Sequence, residues 1–435
     1  MSRRRNPLFM QATLAPLTTL FLGTAILVAG HGLLTTLVPI RVDQLGSSAG
    51  MAGAIATGYF IGLLAGAWYN PRIIHRVGRI RALAGFAAIF AATSLLLPLA
   101  PWPAAWILIR AVAGACLAGL TLVIESWLNA VTNSRQRGRV LAIYMIVFYG
   151  AFGGGQFLLS AYDPAGFELF AVAAILMGMS LVPIVLTRTE APRVAAPVPL
   201  NVSELLRVSP LSVVGSVASG LILGSFYGLA PLFAVARNLP PSGIALFMAA
   251  AIFGGLALQW PIGLLSDHID RRSVILGATA ATALASGVIL LLPLGTDMLL
   301  LGFVALFGGA SFTLYPLALA HAGDRLANNE DMVGLSSGML LLYSFGAAIG
   351  PLLAGQIFEM FDGGGLFLFA AVVAATTVCF GLWRMRQASA PISSEQVSFV
   401  AVPRTSPACA ELDPRQEGME PEFEFDSYET KRNAG

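Results

Sequence analysis

The chain has 435 residues, of which 57% are hydrophobic and 11% are charged, and its formal net charge at pH 7 is +2. Soluble domains carry roughly 25% charged residues, so this composition excludes a soluble globular enzyme. The small net charge hides a separation of basic and acidic residues along the chain. Cys116, Cys379 and Cys409 lack the spacing of metal ligands. Neither a metal site nor a disulfide framework is expected.

About a dozen apolar segments follow one another between Thr13 and Arg386, separated by short polar connections. A helix needs about 20 apolar residues to cross a bilayer, and continuous apolar runs differ from the alternating strands of membrane barrels. The sequence therefore predicts an all-α membrane protein with 12 transmembrane helices. The start, MSRRRNPLF, lacks a secretory cleavage site, so the first segment is expected to stay as a helix. The predicted spans are 13–37, 49–70, 82–100, 104–129, 140–161, 169–187, 208–235, 243–265, 273–294, 298–321, 332–357 and 364–383.

Arginine is distributed unequally over the connections between these spans. One side of the membrane receives only Arg41 and Arg237. By the positive-inside rule, the arginine-rich side is the cytoplasm, so both termini and the central connection are predicted to be cytoplasmic. The arginine-rich side carries Arg3 to Arg5, Arg72, Arg76, Arg79, Arg81, Arg135, Arg137, Arg139, Arg188, Arg193, Arg207, Arg271, Arg272, Arg325, Arg384 and Arg386.

The two halves of the chain repeat one another. Pro39 and Pro231 lie 192 residues apart, and the same offset aligns PRIIHRVGRI at 71–80 with GLLSDHIDRR at 263–272. The pattern predicts a six-helix bundle at 1–187, a proline-rich linker at 188–209 and a second six-helix bundle at 210–386. Transporters built from such repeats bind their substrate near the membrane midplane and expose it alternately to the two sides.

The tail at 387–435 holds nine acidic and four basic residues and lacks apolar periodicity. Such a composition predicts a disordered acidic cytoplasmic tail. A regulatory role and a dispensable extension are both open, and the extension is favoured.

The loop GLLSDHIDRR resembles the GxLxDxxxRR signature of the major facilitator superfamily. Its first-half copy is degenerate, with Pro71 and His75 at the glycine and aspartate positions. VIESWLN at 123–129, RGRVLAIYMIVFYG at 137–150 and LGSFYGLAPL at 223–232 are similar to the YcaD-like bacterial subgroup. The resemblance implies a transporter of the bacterial inner membrane. It also implies a gating role for Asp267, Arg271 and Arg272, and we expect Asp267 to bond the helix start or loop arginines that include Arg137 and Arg139.

Ionisable residues are rare within the spans, where each is costly unless paired, hydrated or used. Glu125 is the only carboxylate inside a predicted span, which makes it the candidate for proton coupling, with His31 next. The alternatives are an ion pair for Glu125 and helix packing for His31. His321 is assigned to packing. Arg110 either holds a carboxylate in the cavity or extends to the membrane interface.

Polar and aromatic residues within the spans are candidates for the substrate pocket, or else for interhelical hydrogen bonds. With Arg110, they are Tyr149, Gln156, Tyr227, Gln259, Tyr315 and Tyr343.

The sequence predicts a secondary active transporter of a small molecule, without cofactor, metal site or nucleic-acid partner, acting as a monomer in the lipid bilayer. ATP-binding motifs are absent, and no Asp or Glu cluster would hold a metal ion, so protons are the expected coupling ion. A channel or an enzyme would need charged rings or catalytic clusters that the chain lacks. A facilitative uniporter and a non-transporting sensor or scaffold remain open. The glycines of YGAFGGGQ give a slight preference for efflux, although the proline usual in that motif is missing.

Overall fold

The computed structural model describes residues 7–100, 102–132, 136–186, 205–207, 209–293, 298–325, 332–361, 363–387, 399–400 and 404. Within these ranges the chain forms helices and no strands. Twelve helices are long and apolar enough to cross a membrane. The predicted all-α membrane fold is confirmed.

The twelve helices are numbered here in chain order. The first six are α1 (Pro7–Gln44), α2 (Ala49–Val77), α3 (Arg79–Leu99), α4 (Pro103–Val131), α5 (Arg137–Ser160, ending in a 3-10 turn) and α6 (Glu168–Val185). The other six are α7 (Pro210–Ala236), α8 (Pro241–His268), α9 (Arg271–Leu291), α10 (Met298–Gly323), α11 (Met332–Met360) and α12 (Gly365–Met385).

Two helices run well past their predicted apolar segments. α1 continues to Gln44, and α2 continues through Pro71 to Val77. A helix ends where its backbone is capped, and this need not coincide with the membrane boundary. α2 is capped at its start by Ser48, whose side chain accepts a hydrogen bond from the Met51 amide, and at its end by Gly78, whose φ of 83° favours glycine.

Successive spans run in opposite directions, so their ends alternate between two sides of the protein. We call the side with the connection between α6 and α7 the linker side, and the opposite side the far side. The predicted linker, 188–209, lies outside the described residues except for 205–207 and Ser209.

The helices of the second half pack in the same pairs as those of the first half. α2 packs on α4 as α8 packs on α10, and α1 packs on α5 as α7 packs on α11. α3 contacts α4 and α6, as α9 contacts α10 and α12. The repeat in the sequence therefore corresponds to a repeat in helix packing.

Glycines allow the tightest of these crossings. Gly62 of α2 faces the carbonyl of Ala111 of α4, and 192 residues later Gly254 of α8 faces the carbonyl of Ala305. At each of these positions a Cβ would clash with the carbonyl oxygen. Gly114 in turn meets the backbone of α2. Small residues of this kind let membrane helices approach closely.

Beyond Gln387, three residues of the C-terminal tail are described, and all three contact the helical domain. Arg404 is 8% exposed, while Phe399 and Val400 pack against the hydrophobic core. These three residues differ from the predicted disorder of the tail, because an apolar part of the tail packs beside Gly263 of α8. The rest of the acidic tail lies outside the described residues.

Candidate functional site

A cavity of about 110 Å³ lies in the middle of the protein, between the two halves. In the first half it is lined from α1, α2, α4 and α5, and in the second half from α7 and α11. Arg404 of the tail also lines it. This is the position predicted for a substrate site, midway through the spans.

Arg110 of α4 is the charged group that the cavity wall supplies from a transmembrane helix. It is 5% exposed, and its guanidinium lies over the Tyr59 ring, 4.5 Å from the ring centroid. Its Nε and Nη1 have no hydrogen-bond partner among the described residues. A cation over an aromatic face gains about 2 kcal/mol when desolvated, far less than the cost of burying an isolated charge. Two nitrogens of the Arg110 guanidinium therefore keep hydrogen-bonding capacity that no described residue satisfies.

Tyr59 connects Arg110 to His31 of α1. Its hydroxyl lies 3.1 Å from His31 Nε2, and the two rings stack with centroids 5.5 Å apart. Nδ1 of His31 has no hydrogen-bond partner among the described residues. The glycines beside His31 serve helix packing, because Gly30 faces α6 and Gly32 faces the Phe152 carbonyl.

Aromatic rings form much of the rest of the cavity wall. No Asp or Glu is among the described residues that line it. An apolar, aromatic wall with a few polar groups is typical of small-molecule sites. The rings belong to Tyr59, Phe60, Phe148, Tyr149, Phe152, Tyr227 and Tyr343.

Of the seven residues predicted to form the pocket, the cavity brings together Arg110, Tyr149, Tyr227 and Tyr343. The other three lie outside its lining. Gln156 holds α5 against α1, because its amide nitrogen donates to the Gly32 carbonyl at 3.1 Å and its oxygen accepts from the Thr36 hydroxyl.

Tyr315 packs its ring against that of Tyr343, with centroids 5.3 Å apart, and supports the wall from behind. Gln259 is 3% exposed, and its Nε2 has no hydrogen-bond partner among the described residues. Gln259 is not among the residues that line the cavity.

Glu125 lies in α4, 15 residues after Arg110, which corresponds to about 22 Å of helix rise. It is fully buried, and one carboxylate oxygen accepts a hydrogen bond of 2.9 Å from the Tyr144 hydroxyl of α5. It is outside the cavity lining. The structure thus places the two residues predicted for proton coupling apart, with His31 at the cavity and Glu125 toward the linker side.

On the far side, the two halves are in close contact through α2 and α11. The Thr57 hydroxyl donates to the Ala348 carbonyl at 2.6 Å, and Gly53 packs against the Pro351 carbonyl. Nearer the far side than the cavity-lining Ala52 of α2, Gly355 packs against the Ala49 carbonyl and the Gly50 amide donates to the Glu359 carboxylate at 3.4 Å, so α2 and α11 are in contact beyond the cavity as well.

On the linker side, the ends of α8, α9 and α10 are joined by an ion-pair cluster around Arg271. Arg271 donates to Asp267 at 3.0 Å and to both oxygens of Asp324 at 2.6 and 2.7 Å. The side chains of Arg271 and Asp324 are 0% and 1% exposed. Asp267 therefore bonds the side chain of Arg271, the first residue of α9.

Arg272 pairs with Asp270 at 2.9 Å, in a more exposed position. Burial raises the pKa of the Asp270 carboxyl, but hydrogen bonds from the Arg272 side chain and amide outweigh that effect and hold the pKa below its usual value. Arg139 is exposed and Arg137 half-buried, and the Nε of Arg137 has no hydrogen-bond partner among the described residues.

Three important residues were not selected from the sequence. Tyr59 is an isolated tyrosine in a predicted span, a signal equal to that of Tyr149. Asp324 directly follows the tenth span, beside the basic loop it pairs with. Arg404 lies in the tail, where only the short apolar run around Phe399 distinguishes it from the acidic remainder.

The packing of twelve helices around a central cavity can be compared with known proteins. The sequence profile described as Major Facilitator Superfamily matches residues 20–341 and 238–407. The chain belongs to the major facilitator superfamily. As a member of this superfamily it is a membrane transport protein and not an enzyme, and its two six-helix bundles are the superfamily's fold.

The chain is similar to the uncharacterized MFS-type transporter YcaD of Salmonella arizonae, with 31% identity covering 82% of this chain and 93% of that protein. The YcaD protein of Escherichia coli gives the same identity and coverage. Among solved structures, the nucleoside transporter NupG superposes with a TM-score of 0.69 at 14% identity, over 85% of this chain and 98% of that one. A bacterial homolog of the human lysosomal transporter Spinster gives 0.65 at 13% identity, over 91% and 100%. At such identities these two structures show a common fold.

Proposed function

We propose that this major facilitator protein is a secondary active transporter that carries a small amphipathic anion through the central cavity by alternating access. Arg110 is the observation that supports this cargo. Its guanidinium is buried at the cavity without a carboxylate partner in the described wall, and a bound carboxylate would supply the missing acceptor.

The wall around Arg110 favours a cargo with an apolar or aromatic body. Rings from four helices surround the space beside the guanidinium. Hydroxyl groups of Tyr149, Tyr227 and Tyr343 offer hydrogen bonds to polar substituents. Among the cavity-lining residues from the transmembrane helices Arg110 is the one arginine, and one such cation suits a monoanion better than a multiply charged one, since further charges would remain unpaired.

A ligand screen on the purified protein tests this cargo class. Aromatic monocarboxylates are expected to raise the unfolding temperature, while the matched amides and amines are not. A charged hydrogen bond contributes about 1.5 to 3 kcal/mol, so Arg110→Gln should weaken binding roughly 10- to 150-fold. Arg41→Gln, outside the cavity, is the matched control. Stabilisation by amines, or equal binding by Arg110→Gln, would contradict the assignment.

The same proposal assigns the coupled proton to Glu125. Glu125 is fully buried. The twelve spans predicted from the sequence contain no other carboxylate. The hydroxyl of Tyr144 gives it a polar contact that connects α4 to α5, the two helices that also carry Arg110 and Tyr149. Protonation at Glu125 can therefore act on the cavity through helix packing and not by direct contact.

Glu125→Gln keeps the shape and removes the titration. In proteoliposomes it should abolish accumulation of cargo driven by a pH gradient and leave exchange of cargo between the two faces intact. A mutant that still concentrates cargo would place the proton site elsewhere, with His31 next, or identify a facilitative uniporter. Ligand binding without any exchange would favour the sensor alternative.

The linker-side cluster is proposed to act as a gate. Asp267, Arg271 and Asp324 hold the ends of α8, α9 and α10 together on the linker side of the second half, which is the surface that the first half approaches when that side closes. The proposed gate also includes Arg272, Arg137 and Arg139. Asp267→Asn should shift the protein toward the state open on the linker side, measured as faster labelling of cysteines from that side. Unchanged labelling would count against this role.

Orientation and direction complete the proposal. The linker side is taken to be the cytoplasm of a bacterial cell, on the arginine count, and export is the expected direction. Reporter fusions at Gly46, Asn133 and the C-terminus test the orientation. An external signal from Asn133 or the C-terminus would overturn it. Transport into inverted vesicles, compared with right-side-out vesicles, tests the direction.

A further inference from the structure

Phe399 of the C-terminal tail is held on the linker side of the helical domain by two kinds of contact. The Phe399 amide donates a hydrogen bond of 2.7 Å to Asp267, at the linker end of α8. The Phe399 ring packs directly on Gly263, one turn deeper in α8, where any Cβ would clash with the ring. The backbone hydrogen bond and the packing of the ring together fix the position of Phe399 on α8.

Arg404, five residues after Phe399, lies in the wall of the cavity. It donates to the Phe312 carbonyl of α10, and its guanidinium lies 5.1 Å from the Phe312 ring centroid and 5.5 Å from that of Tyr343. Phe312 is 11 residues from the linker end of α10, a depth of about 16 Å.

The contacts of Arg404 offset the cost of burying its charge. A buried ion costs several kcal/mol unless it is partnered. Arg404 is 8% exposed and gains a carbonyl acceptor and two aromatic faces. These partners come from α10 and α11, so the tail binds to the second half of the protein at the place where the cargo would lie.

Arg404 forms part of the cavity wall, so the seated tail occupies space that a cargo molecule would otherwise reach. On the far side, α2 and α11 are in contact beyond the cavity, at Ala49 with Gly355 and at Gly50 with Glu359. With the tail seated, the cavity is therefore obstructed on the linker side.

We propose that the segment carrying Phe399, Val400 and Arg404 is a self-inhibitory plug that docks in the linker-side opening and competes with cargo for the cavity. The proposal rests on the proposed function insofar as it takes this cavity to be the cargo site. Closing the two halves on the linker side would displace Arg404, so a seated plug also stabilises the state described here. Release of the plug is then required for each transport cycle.

The test measures access to the cavity without using any cargo. Cys116, Cys379 and Cys409 are replaced by serine, and Thr35, which lines the cavity, is replaced by cysteine. The rate of labelling by a hydrophilic maleimide is measured on the purified protein. Three chains are compared: the full chain, a chain ending at Ala390, and a chain ending at Ala410 that keeps the plug and lacks the acidic residues beyond it.

If the plug is seated for about nine-tenths of the time, its removal should raise the labelling rate about tenfold. The chain ending at Ala390 and the full chain with Arg404→Ala should both show this increase, and the chain ending at Ala410 should label like the full chain. Equal rates for the full chain and the chain ending at Ala390 would overturn the plug. Gel filtration and unfolding temperature confirm that each variant is folded.

Binding of an aromatic monocarboxylate supplies a second readout. A plug predicts tighter binding once Arg404 is removed, because the competitor is gone. Weaker binding without faster labelling would overturn the plug and make Arg404 a cargo ligand. Faster labelling in a protein that binds no carboxylate would support the plug while refuting the anionic cargo, so the two proposals fail separately.

Discussion

Asp324→Asn is expected to destabilise the protein strongly, because it removes one charge from a buried ion pair. Arg271 and Asp324 are 0% and 1% exposed, and both Asp324 oxygens lie within 2.7 Å of the guanidinium. Removing one partner of such a pair costs about 3 to 5 kcal/mol. Asp267 remains 3.0 Å from Arg271 and retains part of the compensation, so the lower end of about 3 kcal/mol is expected.

The assay is thermal unfolding of purified protein, followed by intrinsic fluorescence at one scan rate. A loss of about 3 kcal/mol corresponds to a fall in unfolding temperature of roughly 6 to 12 °C at about 2 to 4 °C per kcal/mol. Asp270→Asn is the matched control. Its side chain is 27% exposed, so solvent screens its pair with Arg272 and the expected cost is about 1 kcal/mol or less. Equal falls for the two variants would refute the assignment of Arg271 and Asp324 as a buried stabilising pair.

Three further predictions use the same unfolding assay. Gly114→Ala should lower the unfolding temperature because a Cβ there meets the backbone of α2, whereas Gly85→Ala, with open space around it, should be neutral or raise stability by about 1 kcal/mol. Arg237→Ala should cost about 2 to 3 kcal/mol, since its guanidinium donates to two carbonyls at the end of α9, while Arg41→Ala should have little effect; equal effects would contradict this assignment. Because the pKa of Asp270 is lowered in the folded protein, its contribution to stability is present at neutral pH and is lost as the pH falls below the usual aspartate value; Asp270→Asn should remove that part of the pH dependence.

The fold could be predicted from the sequence because apolar length and the arginine distribution act on whole segments. Helix ends were less predictable, since capping at Gly78 and the polar end of α1 extend helices beyond the apolar run. The repeat was visible at Pro39 and Pro231 because equivalent positions in the two halves meet the same packing constraints.

The candidate site was only partly predictable. Arg110, Tyr149, Tyr227 and Tyr343 stood out as polar groups in apolar segments, and they line the cavity. Gln156 shows the same signal and serves interhelical bonding instead, because the azimuth of a side chain about its helix depends on how the helices pack. The position of Arg404 depends on contacts of the tail with α8 and α10, and the composition of the tail alone does not predict these contacts.

The backbone contact between Gly62 and Ala111, and its counterpart in the second half, has a practical consequence for measuring motion. Where two helices touch through their main chains, no side chain can rearrange to let one slide over the other. Each bundle should therefore turn as a single block. Spectroscopic probes attached at different exposed points of one bundle should keep constant separations, whereas every pair placed across the two bundles should report the same rotation. One rotation angle would then account for the distances measured between the bundles by pulsed electron paramagnetic resonance, whichever pair of sites is chosen.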